Sequence, residues 1–139
     1  MKRFVLDASV ALAWFLDHPV STYAIEIRQL LVDGARAVVP ALWHLEMANG
    51  LVVAERRKII DADDLSLSLV RLQQFIVQAV ETRSDLWSMR QALHTARGFL
   101  LSAYDSVYLD TARAEGVSLA TLDKSLRAAA ARAGVEVLR

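Results

Sequence analysis

The sequence predicts an α/β fold in which helices cover both faces of a parallel sheet. Five short apolar segments alternate along the chain with longer segments of helical periodicity, and this alternation is typical of parallel sheets. Glycine and proline are scarce, at five and two residues, and no linker, repeat or low-complexity tract divides the 139 residues. We therefore expect a single domain at residues 1–139.

The predicted strands are apolar runs that end in a polar or turn-forming residue. The first run ends at Asp7 and the second at Pro40. Right-handed crossovers between parallel strands would place all their carboxyl ends at one edge of the sheet. The five strands are predicted at residues 4–6, 37–39, 75–80, 117–120 and 135–138.

The predicted helices have apolar residues three or four positions apart and recognisable ends. Ser21 is suited to cap the second helix and Gly34 to end it, and three aspartates at 61, 63 and 64 favour the start of the fourth. The seven helices are predicted at about 10–16, 22–33, 42–57, 65–72, 84–98, 102–114 and 124–133. On the fifth, the inner face is predicted to carry Leu86, Met89, Leu93 and Ala96.

Composition and charge exclude several classes of protein. A hydrophobic content of 55% is too high for a disordered chain, and the absence of cysteine excludes disulfides and thiolate metal sites. Sixteen basic and sixteen acidic residues give a net charge of zero, so nucleic acid would have to be bound through a local basic patch, a metal ion or both. The first apolar run is interrupted by Asp7, so we predict neither a signal peptide nor a membrane span and expect a cytoplasmic protein.

Two acids follow predicted strands directly. Asp7 comes after the first strand, and Asp123 comes after the fourth, two residues beyond Thr121. The carboxyl edge of an open α/β sheet is where ligands bind, so these positions suit a functional site. The alternative is that each aspartate caps the helix that follows it.

Two further acids lie on helix faces that are otherwise apolar. Glu46 shares the inward side of the third helix with Leu42, and Asn49 lies one turn further on. Asp105 lies within an apolar stripe of the sixth helix that includes Tyr108. A buried carboxylate is costly unless it is protonated or finds a cation.

Together these four acids predict a metal site at the edge of the sheet. Four carboxylates raise one another's pKa unless a cation is present, and hard cations such as Mg²⁺ or Mn²⁺ prefer oxygen ligands. The three histidines are scattered, and no cysteine competes as a ligand. The alternative is a set of four unrelated caps and ion pairs.

Other polar and aromatic residues have simpler explanations. The neighbours of Asp110 on its own helix are Ser106 and Arg113, so we expect a surface acid with an ion pair. Two clusters of basic residues are predicted to lie on solvated helix edges, and the alternative is that they contact phosphate groups of a nucleic acid. The clusters are Arg83, Arg90 and Arg97 along the fifth helix, and Arg56, Arg57 and Lys58. The tryptophans are expected in the core or at a dimer contact, with base stacking as the alternative; they are Trp14, Trp43 and Trp87.

The four acids and their surroundings resemble the PIN-domain nucleases, in particular the VapC-type toxins of prokaryotic toxin–antitoxin pairs. The matching segments occur in order along the chain, at residues 5–10, 40–57, 101–109 and 119–123. They include Leu6-Asp7-Ala8-Ser9, Leu45-Glu46, Tyr104-Asp105-Ser106 and Thr121-Leu122-Asp123. One departure is Ala8, where many PIN domains carry serine or threonine.

The resemblance implies a three-layer α/β/α sandwich around a five-stranded parallel sheet. It implies an Mg²⁺- or Mn²⁺-dependent endoribonuclease that cleaves RNA by metal-activated water, a cognate antitoxin that blocks the site, and a homodimer. It also implies roles for individual residues. Asp7 and Asp105 match the main metal ligands, Glu46 and Asp123 the remaining catalytic acids, and Ser9, Asn49 and Thr121 the polar supports.

Two other functions are compatible with the pattern. The chain could be a catalytically silent PIN-fold module that binds proteins, in which the acids serve stability alone. It could also be another metal-dependent phosphohydrolase. A haloacid-dehalogenase-like phosphatase needs a second aspartate two residues after the first, where this chain has Ser9. A response-regulator receiver needs a lysine after a late strand, and no convincing match is present.

Overall fold

The computed structural model describes residues 2–84 and 87–139, in which strands and helices alternate. The strands are β1 (Arg3–Leu6), β2 (Arg36–Pro40), β3 (Val80–Arg83) and β4 (Ser118–Ala120). The helices are α1 (Ala8–Leu16), α2 (Thr22–Val32), α3 (Leu42–Arg56), α4 (Ala62–Ala79), α5 (Met89–Phe99), α6 (Ala103–Glu115) and α7 (Lys124–Arg132).

The strands form one parallel sheet in the order β3-β2-β1-β4. Val5 of β1 pairs with Val38 on one side and with Leu119 on the other. Phe4, Val5 and Leu6 are all fully buried, and successive strand residues point to opposite faces, so both faces of the sheet are covered. The predicted α/β fold with a parallel sheet is confirmed.

The prediction of five strands is wrong for the part of the chain that the structure describes, where the sheet has four. The last predicted strand is reduced to a single parallel bridge between Val137 and Leu119. Two backbone hydrogen bonds of 2.9 Å flank it, from Leu119 N to the oxygen of Glu136 and from Leu138 N to the oxygen of Leu119. Glu136 is exposed and only Leu138 of this segment is buried, so a longer pairing would add little apolar burial.

The segment predicted as a strand at residues 75–80 is helical up to its last residue. Helix α4 begins three residues earlier than predicted, at a capping box between Asp61 and Asp64, and continues to Ala79. Leu72, Phe75 and Ala79 lie at helical spacing on its inward side. The strand β3 therefore begins only at Val80.

Helix α5 begins later than predicted and turns a different face inward. It starts at Met89 after the cap Ser88, whose hydroxyl accepts a 3.0 Å hydrogen bond from Gln91 N. Met89 is 87% exposed and Leu93 is also exposed, so their predicted place on the inner face is wrong. The same prediction for Leu86 lies outside the described residues. Thr95 is the buried residue of this helix, on the side that packs against α6.

The remaining elements place the carboxyl ends of β1 and β4 side by side. Leu6 pairs with Ala120, and Asp7 N donates a 3.0 Å hydrogen bond to the Ala120 oxygen. Helix α6 packs against β1, β2 and β4, and α1 packs against α3. Within the described part of the chain, no helix is both long and apolar enough to span a membrane.

Candidate active site at the carboxyl edge of the sheet

A pocket opens where β1 and β4 end, and the four predicted acids all line it. Its volume is about 670 Å³, which lies within the range of sites for small ligands. We call it the acidic pocket. Its lining residues are Asp7, Ala8, Ser9, Leu12, Leu42, Leu45, Glu46, Asn49, Gly50, Tyr104, Asp105 and Asp123.

Asp7 is at the bottom of the acidic pocket and is only 5% exposed. It occupies the N-cap position of α1, but its side chain makes no capping hydrogen bond, so the capping alternative fails here. Its Oδ2 instead accepts 2.7 Å hydrogen bonds from the hydroxyls of Ser9 and Thr121. Burial raises the pKa of Asp7, and the nearby charge of Asp123 adds to that, while the two hydroxyls act in the opposite direction.

The two hydroxyls are oriented by the backbone that follows β4. Ser9 Oγ accepts a 3.1 Å hydrogen bond from Leu122 N, and Thr121 Oγ1 accepts a 3.0 Å hydrogen bond from Asp123 N. Each hydroxyl has one proton, and with a backbone donor already bound, that proton points to Asp7. The predicted supporting residues Ser9 and Thr121 therefore hold Asp7 as a hydrogen-bond acceptor.

Glu46 reaches the acidic pocket from α3 and is fixed by a tyrosine of α6. Tyr108 is fully buried, and its hydroxyl donates a 2.5 Å hydrogen bond to Glu46 Oε1. Burial raises the pKa of the Tyr108 hydroxyl, which therefore remains a proton donor. The pKa of half-buried Glu46 is also raised, mainly by burial and further by the charges of Asp7 and Asp105. The hydrogen bond from Tyr108 acts in the opposite direction.

Asp105 lies in the first turn of α6, which Ser102 caps by accepting a 3.0 Å hydrogen bond from Asp105 N. A helix N-terminus normally favours an ionised carboxylate. Here partial burial, followed by the charges of Asp7 and Asp123, raises the pKa of Asp105 from 3.8 to about 6. No basic side chain is among the described residues that line the pocket, so none offsets these carboxylates there.

Asp123 has both of the roles considered for it. Its Oδ1 caps α7 by accepting a 2.9 Å hydrogen bond from Leu126 N, and its half-buried side chain also lines the acidic pocket. Asn49, one turn beyond Glu46 on α3, lines the same pocket and is exposed. All the predicted site residues thus lie in the pocket or, for Thr121, directly behind Asp7.

The donor set suits a hydrated hard cation. All four acids offer carboxylate oxygen, and their mutual charge, which raises the pKa of three of them, is what a divalent cation would neutralise. Among the described residues, no group of three or more histidine, cysteine or acidic side chains is close enough together to hold a metal ion. Such a group is not required for Mg²⁺, which keeps several waters and binds through one or two carboxylates. The residues present therefore fit such an ion.

Sequence reasoning missed two features of the acidic pocket. Tyr108 was expected only as a core residue; the signal was its place one turn after Asp105, because a buried tyrosine hydroxyl needs a partner. The exposed apolar side chains of Leu45 and Tyr104 at the pocket were also missed.

The prediction that Asp110 is a surface acid is wrong. It is buried beneath α5, where Thr95 Oγ1 donates a 2.8 Å hydrogen bond and Gln91 Nε2 a 3.4 Å hydrogen bond to its Oδ2. Its expected ion pair with Arg113 is present at 3.7 Å. The neighbours of Asp110 on its own helix gave no sign of the polar side chains that α5 contributes.

The predicted basic groups and tryptophans lie away from the lining of the acidic pocket. Arg83 belongs to β3 rather than to the fifth helix, and its Nε lies 3.6 Å from Glu115 Oε1. Arg90 and Arg97 are exposed on α5. Trp43 is fully buried, and Trp14 Nε1 donates a 2.8 Å hydrogen bond to the Ala24 oxygen, which fits the expected core positions. Trp87 is half-buried.

Comparisons with known proteins agree with this fold. The family model described as PIN domain matches residues 4–132. Among solved structures, the chain is similar to the crystal structure of PAE2754 from Pyrobaculum aerophilum, with a TM-score of 0.70 and 19% sequence identity. The likeness covers 92% of this chain and 84% of that one and concerns the fold. No curated protein matches the chain.

Proposed function

Because the chain belongs to the PIN-domain family, whose members are generally nucleases, we propose that it is a divalent-metal-dependent endoribonuclease. The observation that carries the proposal is the convergence of Asp7, Glu46, Asp105 and Asp123 on one pocket at the carboxyl edge of the sheet. Mg²⁺ or Mn²⁺ is the proposed cofactor, since every acidic donor there is a hard oxygen.

Each acid has a proposed role that follows from its contacts. Asp7 and Asp105 are the proposed metal ligands. Asp7 is held as an acceptor by two hydroxyls, and Asp105 lines the same pocket, where the charge of Asp7 contributes to raising its pKa. An ion bound there would lower the pKa of water and neutralise charge on the scissile phosphate. Glu46, which accepts a hydrogen bond from Tyr108, is proposed to orient the attacking water and accept its proton.

The remaining polar groups keep this arrangement in place. Ser9 and Thr121 fix the orientation of Asp7, and Asn49 offers a neutral amide at the mouth of the pocket. Asp123 contributes negative charge next to Asp7 while one of its oxygens is engaged in capping α7. Attack of water in line on phosphorus would leave a 5′-phosphate and a 3′-hydroxyl.

The biological role proposed here rests on the motif resemblance to VapC-type toxins. We infer a toxin that acts on cytoplasmic RNA, is blocked by a cognate antitoxin covering the acidic pocket, and works as a homodimer. The order and spacing of the four acidic motifs support this inference. Co-purification of the chain with the product of an adjacent gene, and loss of RNA cleavage in that complex, would test it.

Cleavage of an end-labelled RNA pool by purified protein tests the nuclease proposal. The reactions contain Mg²⁺, Mn²⁺ or a chelator, and the variants are Asp7→Asn and the matched control Asp63→Asn, an exposed acid in the first turn of α4. We expect metal-dependent cuts with 5′-phosphate ends that Asp7→Asn abolishes and Asp63→Asn retains. A 2′,3′-cyclic phosphate product would contradict the mechanism. A folded wild-type protein that binds metal and cuts nothing would favour the silent binding module.

A further inference from the structure

We propose that Tyr104, together with Leu45, contacts the base of the nucleotide next to the scissile phosphate, so that this base contributes to the binding of the RNA substrate. The inference rests on the proposed nuclease function and goes beyond it. It starts from a juxtaposition: two large, exposed apolar side chains line a pocket whose charged residues are all acids.

Each of these side chains directly precedes a pocket acid. Leu45 precedes Glu46 on α3, and Tyr104 precedes Asp105 on α6. Leu45 is 75% exposed and Tyr104 is 68% exposed, although both line the acidic pocket. Their apolar surfaces therefore face the space that a ligand of the acids would occupy.

The backbone holds Tyr104 and Leu45 in regular structure. Tyr104 lies in the first turn of α6, between the cap Ser102 and Asp105, whose backbone N–H is hydrogen-bonded to that cap. Leu45 lies inside α3, next to Glu46, which Tyr108 anchors. An aromatic ring carried on a fixed backbone loses little freedom when it stacks on a ligand.

The geometry points to a base rather than to another part of RNA. Tyr104 and Asp105 line the same pocket, so a nucleotide whose phosphate is bound at Asp105 has the ring of Tyr104 within reach. Unpaired bases in RNA stack readily on aromatic side chains, whereas paired bases are already stacked within the duplex. Leu45 lines the same pocket and adds apolar surface that a base could contact.

The experiment combines a substrate change with a protein change. Wild-type protein first maps a cut site in a short oligoribonucleotide; a second oligonucleotide then carries an abasic residue beside that site. We expect the abasic substrate to raise the wild-type KM about 10- to 100-fold, the usual range for one stacked base. Tyr104→Ala should raise the KM similarly on the intact substrate and add little on the abasic one. Tyr104→Phe, which keeps the ring, should stay within about twofold of wild type.

Control variants separate this contact from general damage. Met89→Ala removes an exposed apolar side chain of α5 outside the acidic pocket and should leave KM unchanged. Equal sensitivity of wild type and Tyr104→Ala to the abasic residue would overturn the inference while leaving the nuclease in place. Unchanged RNA kinetics with weakened binding of a protein partner would assign this surface to that partner instead. Absence of any cleavage by folded wild-type protein would overturn both proposals.

Discussion

Replacing Asp105 with asparagine should stabilise the metal-free protein at neutral pH although it removes a proposed metal ligand. The pKa of Asp105 is raised from 3.8 to about 6, first by burial and then by the charges of Asp7 and Asp123. The folded protein therefore holds this proton more tightly than the unfolded chain does. The resulting stability is present below about pH 4 and is lost as the pH rises through about 6.

The size of the effect follows from the shift. Each pKa unit corresponds to about 1.4 kcal/mol, so two units would give at most about 3 kcal/mol. Asp105 is only half-buried, and water screens its interactions, so we expect about 1–2 kcal/mol. Asparagine is close in shape and has no charge to desolvate, so Asp105→Asn should recover this free energy of unfolding.

Urea denaturation in the presence of a chelator measures the prediction. At pH 7.5 we expect Asp105→Asn to exceed wild type by about 1–2 kcal/mol in the free energy of unfolding, and at pH 4 the difference should largely disappear. Saturating Mg²⁺ should stabilise wild type and not the variant. A destabilised variant at pH 7.5, or the same difference at both pH values, would refute the electrostatic reasoning. Asp63→Asn serves as the control for removing an exposed acid.

Three further substitutions test individual contacts. Tyr108→Phe removes the hydroxyl that holds Glu46 and should lower kcat about 10-fold. Because the lost hydrogen bond lowers the pKa of Glu46, the acidic limb of the pH–rate profile should move to higher pH. An unchanged profile would contradict the positioning role. Thr121→Val removes a hydrogen bond to buried Asp7 and should cost about 1–3 kcal/mol in urea denaturation, whereas no loss would show that the bond is dispensable. Leu100→Gly should stabilise the protein by about 1 kcal/mol. Leu100 ends α5 in the left-handed conformation, at φ 57°, and its side chain is 84% exposed, so glycine relieves strain and loses little packing. A lower melting temperature of the variant would contradict this.

The sequence was sufficient to predict that the four acids come together at one edge of the sheet. The run Phe4–Leu6 had to be buried on both faces, and a parallel sheet then placed the residues after β1 and β4 next to each other. The apolar neighbours of Glu46 and Asp105 on their helices placed those acids towards the same edge. All four acids line one pocket, as the pattern predicted.

The sequence-based predictions failed where packing against a second helix or strand determines the local structure or the burial of a residue. Residues 75–79 fit both strand and helix patterns, and packing on the inward side of α4 selected the helix. Asp110 has polar neighbours on α6, but Thr95 and Gln91 of α5 cover it. The bond from Tyr108 to Glu46 joins residues 62 positions apart, and neither local pattern specifies it.

Calorimetric titration of Mn²⁺ into metal-free protein asks whether the acidic pocket is a metal centre. We predict saturable binding by wild type and by Asp63→Asn, release of protons at pH 6 from the acids whose pKa is raised, and loss of binding in Asp7→Asn. Binding that is equally strong in folded Asp7→Asn, or absent from folded wild type, would contradict the assignment of the four acids to a metal-dependent nuclease.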